Sequence, residues 1–473
     1  MNFSAAHTEL WDAMLQFGIL SSVLLIANVL RRKVPFIRKS LMPTAVLGGF
    51  LAFFLRTFHV IALDGPFLDR ITYHTIAIGF IALALRIPEK GSESGADPLD
   101  GPKSGALIVS CYLFQGILGI LITAGLAATF YPNLFKAAGV LLPMAYGQGP
   151  GQANNVGAAY EQLGFQGGQS FGLSLAAAGF LCACIVGVIY INILQKKGKI
   201  HIVDNQEKAE ALTIEDFQND NEIPVSQSVD RLSMQTAMVL MVYFLTYLVS
   251  LGITGLLDRM SPGISATVSP LIWGFNFITG SLVAMAFRQS FRWFTKAKWM
   301  QRQYPNNYLL SRISGCAFDY MILAGIAAID IRDLSGLWVP FLLMAVLGGW
   351  LTLVFLQWLC RKIYPTYYYE GLLSMYGMMT GTISSGVLLL RELDPNYRTP
   401  AAGNLLSGST FGILFGAPML ILIGMAPKSD WMLRITFLLL IVYMIPLLLF
   451  LLRVNSGRKR GMGKKRMGRS GNP

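Results

Sequence analysis

The chain has 473 residues, 54% hydrophobic and 13% charged, with a formal net charge of +13. A mean hydropathy of +0.53 excludes an ordinary water-soluble domain of this size and makes lipid the predicted solvent. The basic excess does not point to nucleic acid, because eight Lys and Arg residues between Arg453 and Arg469 stand without an acid directly behind the last apolar run. A basic flank in that place signals topology and anionic lipid.

Apolar runs near the roughly 20 residues that an α-helix needs to cross about 30 Å of hydrocarbon predict helices over 14–30, 41–55, 71–85, 105–129 and 171–194. A second set follows over 236–255, 267–287, 311–329, 337–359 and 404–425, with one extra helix over 431–452. The runs are continuously apolar rather than alternating, which favours helices over a β-barrel. The expected fold class is therefore an all-α polytopic membrane protein of about 11 transmembrane helices. Glu9 and Asp12, with no basic segment ahead of the first run, predict that the first helix inserts uncleaved. Cys111, Cys182, Cys184, Cys316 and Cys360 sit in or at the ends of apolar runs without metal-ligand spacing, and read as small packing residues.

Between the fourth and fifth helix of each set lies a glycine-rich apolar stretch, over 137–160 and 370–390. The first reads MAYGQGPG from Met144 and the second SMYGMMTG from Ser374. Each has Tyr-Gly followed four residues later by Gly, and each follows a Tyr-Pro step, Tyr131-Pro132 or Tyr364-Pro365. Pro43 and Pro270 open the second helices; His74 and Asp319 stand near the start of the third. These matches predict an internal duplication: 1–194 as a first five-helix repeat, 236–425 as a second, then the helix over 431–452 and a basic cytoplasmic tail over 453–473.

If both glycine-rich stretches dip in and return as re-entrant hairpins, each repeat crosses five times and the second is inverted. With the N-terminus outside, the inside then collects Arg31, Arg32, Lys33, Arg38 and Lys39; Lys196, Lys197 and Lys199; Arg288, Arg292, Lys296, Lys298 and Arg302; and Arg361, Lys362 and the C-terminal tail. Outside loops keep few bases, for example Arg259 beside Asp258 and Arg332 between Asp330 and Asp333, as the positive-inside rule requires. The polar segment 195–235 reads as a cytoplasmic linker, with a regulatory role as the alternative.

Inverted repeats with interrupted helices are a recurrent plan of secondary transporters. A break leaves N–H groups that attract anions and C=O groups that coordinate cations, at a depth where water supplies neither. On that reading the candidate solute and ion ligands are Gly147, Gln148, Gly149, Gly151, Gln152, Asn154 and Asn155 in the first hairpin, with Pro150 at its tip. The second hairpin offers Gly377, Thr380, Gly381, Thr382, Ser384 and Ser385. Neutral amide and hydroxyl oxygens suit a sodium-like ion, and N–H groups suit a carboxylate. The competing reading is that these small residues only let helices pack closely. Asp319, ionisable at membrane depth, is a candidate for a cation or proton. His74 is either its partner or hydrogen-bonded to neighbouring backbone. Asn276 and Asn404 are possible ligands or interhelical glue. His7, His59 and His201 have loop or polar contexts and carry no role. No Walker loop, nucleophile elbow or HExxH pattern occurs, so no enzyme is expected and no cofactor beyond a coupling sodium ion.

These motifs, spread over most of the chain, resemble the bacterial sodium/glutamate symporter family, whose architecture is related to that of sodium-coupled 2-hydroxycarboxylate transporters. Pro43 to Gly49 (PTAVLGG) resembles the family's proline and paired glycines in the second helix. GQGPGQ at Gly147 to Gln152 resembles its first re-entrant motif, and YGMMTGT at Tyr376 to Thr382 occupies the place of the second. Gln148 and Pro150 stand where the family reads His and Thr, Met378 and Met379 where a middle glycine is usual, and the last helix is additional. The resemblance implies sodium-coupled symport of glutamate, or a related anionic amino acid or carboxylate, by elevator-like alternating access in a bacterial inner membrane. It also implies a homodimer, with lipids, the anionic solute and sodium as partners. A channel, whose filters also use re-entrant glycine-rich loops, is the alternative.

Overall fold

The computed structural model describes residues 8–39, 42–87, 99–200, 228–260, 265, 269, 272–274, 276–297, 305–394 and 399–467. Most of the expected 195–235 linker, Thr267, Pro270 and the last residues of the tail lie outside them. In chain order the α-helices are α1 (Thr8–Lys33), α2 (Pro35–Lys39), α3 (Thr44–Thr57), α4 (Gly65–Leu85), α5 (Asp100–Thr129), α6 (Leu141–Tyr146), α7 (Pro150–Glu161), α8 (Gly168–Leu181) and α9 (Gly187–Lys196). They continue as α10 (Ser228–Met260), α11 (Asn276–Lys296), α12 (Asn307–Ala327), α13 (Trp338–Ile363), α14 (Tyr368–Thr380), α15 (Ile383–Arg391), α16 (Ala401–Met425) and α17 (Asp430–Met467). No strand occurs among the described residues.

Local chemistry explains many boundaries. Pro66 in the first turn of α4 and Pro150 at the head of α7 fix φ where a helix start has no N–H to lose. Basic residues close α1 (Arg31, Arg32, Lys33) and α13 (Arg361, Lys362), facing the negative end of the helix dipole. A π-turn over Cys182–Val186 joins α8 to α9. Pro418 cannot bond back along α16, which bends by 48° between Ala401–Ser409 and Leu414–Met425.

Eight described helices are long and apolar enough to cross a membrane, and α16 makes a ninth if its bent halves form one span. The described residues are thus all-helical in their regular structure, with the spans of a polytopic membrane protein. One of the eleven expected spans falls short for a physical reason, and another, expected over 267–287, lies partly outside the described residues. Helix α3 has 14 residues, about 21 Å at 1.5 Å per residue. Helix α11 is described from Asn276, residues 272–274 ahead of it are helical too, and it carries Arg288, Arg292 and Lys296 in its second half.

The chain divides into two compact units, each drawing on both halves of the sequence. Unit 1 comprises Met1–Ser92, Pro150–Ala177 and Asn205–Ser335; unit 2 comprises Glu93–Gly149, Ala178–Asp204 and Gly336–Pro473. In unit 1, α4 and α12 pack on each other, α3 packs on α12, and α11 packs on α4. Two apolar clusters result. Leu20, Val23, Ala52, Leu63 and Leu68 gather around Leu323, Ala324 and Ala327, while Met238, Val239, Val242, Ala284 and Leu310 gather around Ile81, Ala82 and Leu85.

Two arginines close those clusters in the same manner. Arg56 of α3 donates from Nη1 to the carbonyls of Ala327 and Ala328 at the end of α12, at 3.0 and 3.3 Å. Arg288 of α11 donates from Nη1 to the carbonyls of Ala84 and Arg86 at the end of α4, at 2.9 and 2.6 Å. Each satisfies helix-terminal carbonyls that have no partner inside their own helix.

In unit 2, α5 is the central element and packs against α13, α16 and α17. Its backbone meets the 3-10 turn Lys136–Val140 so closely that a Cβ on Gly119 would lie 2.0 Å from the Gly139 carbonyl oxygen. Only glycine fits on either side of that crossing.

Candidate functional site

Both glycine-rich stretches are broken helices. The first breaks at Gly147–Gly149, between α6 and α7, and the second at Gly381–Thr382, between α14 and α15. Gly149 has φ +87, a left-handed conformation that favours glycine. The two breaks meet within unit 2: a Cβ on Gly149 would lie 3.4 Å from Thr382 Cγ2 and 3.8 Å from the Gly381 carbonyl oxygen. Arms α14 and α15 lie against each other. Gly377 makes this possible, since a Cβ there would stand 2.7 Å from the Ser385 carbonyl oxygen.

The second break presents both signs of backbone charge. Helix α14 ends in carbonyls at Gly381, and α15 starts at Thr382 with no side-chain cap on its first amides. Around this point stand unpartnered buried oxygens: Thr382 Oγ1 and Ser385 Oγ have no hydrogen-bond partner among the described residues, and Ser385 is only 2% exposed. A Cβ on Gly381 would lie 2.8 Å from Ser385 Oγ and 3.1 Å from the Gly377 carbonyl oxygen. Thr380, by contrast, returns its hydroxyl to the Tyr376 carbonyl at 2.8 Å.

Behind the breaks lies a buried polar layer that the sequence reading did not single out. Gln115 of α5, fully buried, donates from Nε2 to the Met379 carbonyl at 2.9 Å and to Thr352 Oγ1 of α13 at 3.0 Å. Its Oε1 has no partner among the described residues. The amide orientation follows from the network, because reversing it would set two carbonyl oxygens face to face. Tyr146 and Tyr376, the tyrosines of the two matching motifs, are both fully buried. Tyr146 donates to the Ala345 carbonyl at 2.6 Å, whereas the Tyr376 hydroxyl is unpartnered among the described residues. Gln115 had a legible signal, as the one amide side chain inside the apolar run 105–129.

Unit 1 holds the other predicted residues of the first hairpin. Gln152, Asn154 and Asn155 of α7 are all buried. Asn155 Nδ2 donates to the Gly274 carbonyl at 2.6 Å, and Asn154 Oδ1 accepts from Gln169 Nε2 at 2.7 Å. Gln152 Oε1 has no partner among the described residues. Nearby in the same unit, His74 Nδ1 and Tyr243 OH lie 2.7 Å apart, Asn276 Nδ2 donates to that hydroxyl at 3.3 Å, and Tyr73 donates to the Trp273 carbonyl at 2.6 Å. The Asn276 Oδ1 atom is unpartnered among the described residues. Among the described residues His74 therefore bonds neither Asp319 nor backbone; its partner is Tyr243, a tyrosine inside an apolar run.

The remaining candidates separate by environment. Gly147 and Gly151 are packing positions: a Cβ would meet the Tyr112 ring at 2.3 Å in the first case and Ile76 Cδ1 at 2.4 Å in the second. Gln148 is half-buried beside the first break, and Ser384 lies in the first turn of α15. Asp319 sits on the exposed face of α12, three residues after Cys316, and is not brought to either break. Its neighbour Tyr320 stacks on Phe17 at 4.9 Å and shares a 2.7 Å hydrogen bond with Ser21. Asn404 donates to Tyr367 OH at 2.8 Å, which joins α16 to the segment preceding α14. The five cysteines are all free thiols.

Chemically, the meeting point of the breaks is a set of neutral oxygens and helix-end dipoles. Such a set suits a hard monovalent cation beside a small anion, and offers no nucleophile with a base in reach. Among the described residues no group of three or more His, Cys, Asp or Glu converges. No protein-family model and no curated protein matches the chain.

Proposed function

We propose that this protein is a cation-coupled secondary transporter of a small anionic solute, with sodium as the coupling ion and glutamate or a related carboxylate as the solute. The observation that carries the proposal is the meeting of the two broken helices: Gly149 at φ +87 against Gly381 and Thr382, with buried oxygens on Thr382, Ser385 and Gln115 that have no partner among the described residues. A buried hydroxyl or amide left without a partner costs about 1 to 3 kcal/mol. Thr382 and Ser385 stand at the second break and Gln115 bonds the Met379 carbonyl two residues before it; such groups are tolerable when a ligand or water satisfies them in the working protein. In this reading a cation takes the oxygens, and the carboxylate takes the free amides of α15.

An inverted duplication underlies the arrangement. Support comes from the order of the elements, with α3, α4, α5 and the α6–α7 break recurring as α11, α12, α13 and the α14–α15 break, and from the reciprocal caps of Arg56 on α12 and Arg288 on α4. Each half closes a helix of the other. Two such repeats in opposite orientation provide the near-symmetry on which alternating access rests.

The deciding experiment is uptake by purified protein in vesicles. A sodium gradient should drive accumulation of an acidic amino acid or dicarboxylate, and solute affinity should rise with sodium by the factor by which solute raises sodium affinity. No accumulation of any such solute under a sodium or proton gradient would end the proposal.

A further inference from the structure

We infer that the C-terminal end of α13 in unit 2 is a binding site for the headgroup of one anionic phospholipid, with Arg361 and Lys362 holding the phosphate and Trp358 and Tyr368 holding the two cations in place. Both cations lie at the end of a span, Trp338–Ile363, and both are exposed. Each rests on an aromatic ring. Lys362 Nζ lies 4.8 Å from the centroid of Trp358, and the Arg361 guanidinium lies 5.6 Å from that of Tyr368. Arg361 Nε also donates to the Tyr368 hydroxyl at 3.3 Å.

Neither cation has a carboxylate partner among the described residues. The ring contacts consume the π-face side of the charge and one N–H of Arg361. The outer guanidinium nitrogens and the ammonium hydrogens are left to a ligand with several acceptor oxygens, which is the chemistry of phosphate. Val354, Gln357, Trp358, Arg361 and Lys362 line a single shallow concavity there.

The face below the cations selects lipid over a free anion. Val346, Trp350, Val354 and Trp358 are 64%, 59%, 45% and 43% exposed and follow one another at intervals of four residues, so they form a ridge along α13 that ends at Lys362. From Val346 to Lys362 the ridge rises about 24 Å at 1.5 Å per residue, more than the roughly 15 Å of one leaflet's hydrocarbon. A phospholipid seated with its phosphate on Arg361 and Lys362 lays an acyl chain along Val354, Trp350 and Val346. Free phosphate gains nothing from that ridge.

The test uses the full chain in nanodiscs of phosphatidylcholine with phosphatidylglycerol as a minor component, one lipid or the other brominated to quench tryptophan. The difference between wild type and Trp358→Phe isolates the Trp358 signal. Brominated phosphatidylglycerol should quench it several-fold more than brominated phosphatidylcholine at the same fraction. Arg361→Gln with Lys362→Gln should erase the preference, Arg361→Lys with Lys362→Arg should keep it, and Lys464→Gln with Lys465→Gln in the tail should leave it intact. Equal quenching by the two lipids, a preference that survives the double glutamine substitution, or one that falls with the tail substitution would overturn the site. A preference abolished by inorganic phosphate at constant ionic strength would reassign it to free anion and overturn the lipid. None of these readouts involves transport, so the inference stands or falls apart from the proposed function.

Discussion

Ser385→Ala should make the ligand-free protein more stable and its ligand binding weaker, two effects of opposite sign from one atom. Ser385 is 2% exposed and its Oγ has no partner among the described residues. An unsatisfied buried hydroxyl costs about 1 to 3 kcal/mol, which the substitution removes. The void left by one oxygen, roughly 10 to 15 Å³, returns about 0.3 kcal/mol of that at 24 cal/mol/Å³. The net gain without ligand is therefore about 0.7 to 2.7 kcal/mol. If Ser385 Oγ ligates the cation, its loss weakens sodium by about 1 kcal/mol, roughly five-fold.

The assay is thermal unfolding of purified protein across a sodium titration at constant ionic strength. The midpoint should start higher than wild type without sodium and need more sodium to rise further. Ser374→Ala is the control, because that buried hydroxyl already donates to the Gly371 carbonyl at 3.1 Å; it should lower stability and leave the sodium response alone. A Ser385→Ala protein that is less stable without sodium and keeps the wild-type sodium midpoint would refute the reasoning, since Oγ would then be structural.

Gly381→Val places branched carbons beside Ser385 Oγ and the Gly377 carbonyl, where even a Cβ lies within about 3 Å, and should abolish uptake while the protein still inserts. Gly149→Val should do the same, with an added backbone cost of about 1 to 2 kcal/mol at φ +87; normal uptake in both variants would remove the breaks from the site. Gln115→Leu leaves the Met379 carbonyl without its donor, and should cost about 1 to 3 kcal/mol of stability together with a weaker sodium response, read from the same titration; a loss of stability with an unchanged sodium midpoint would confine Gln115 to scaffolding. Gly119→Ala drives a methyl to 2.0 Å from the Gly139 backbone and should prevent recovery of monodisperse protein by size-exclusion chromatography, whereas Gly125→Ala on the same helix, with open space at its Cβ, should be recovered normally.

The sequence by itself determined the solvent, the helical class and the places where helices break. Those features are written in local chemistry: run length against bilayer thickness, Tyr-Pro steps that end helices, and Gly-rich motifs that interrupt them. It also marked Gln152, Asn154 and Asn155 as candidates, because amide side chains are conspicuous among apolar neighbours, but placed them in the hairpin tip where the structure has the helix α7.

Only the tertiary structure decided which glycines serve what purpose. Gly147, Gly151 and Gly377 have the same local signature as Gly149 and Gly381, yet the first three stand against a ring, an isoleucine and a helix backbone, while the last two face each other across the breaks. The partners come from distant positions, so no local pattern could sort them. The same holds for Gln115, which meets Met379 and Thr352 across 264 and 237 residues of sequence, and for His74, whose partner Tyr243 lies 169 residues away. Hydrogen bonds between spans are set by which faces pack, and a continuously apolar sequence records that choice only weakly.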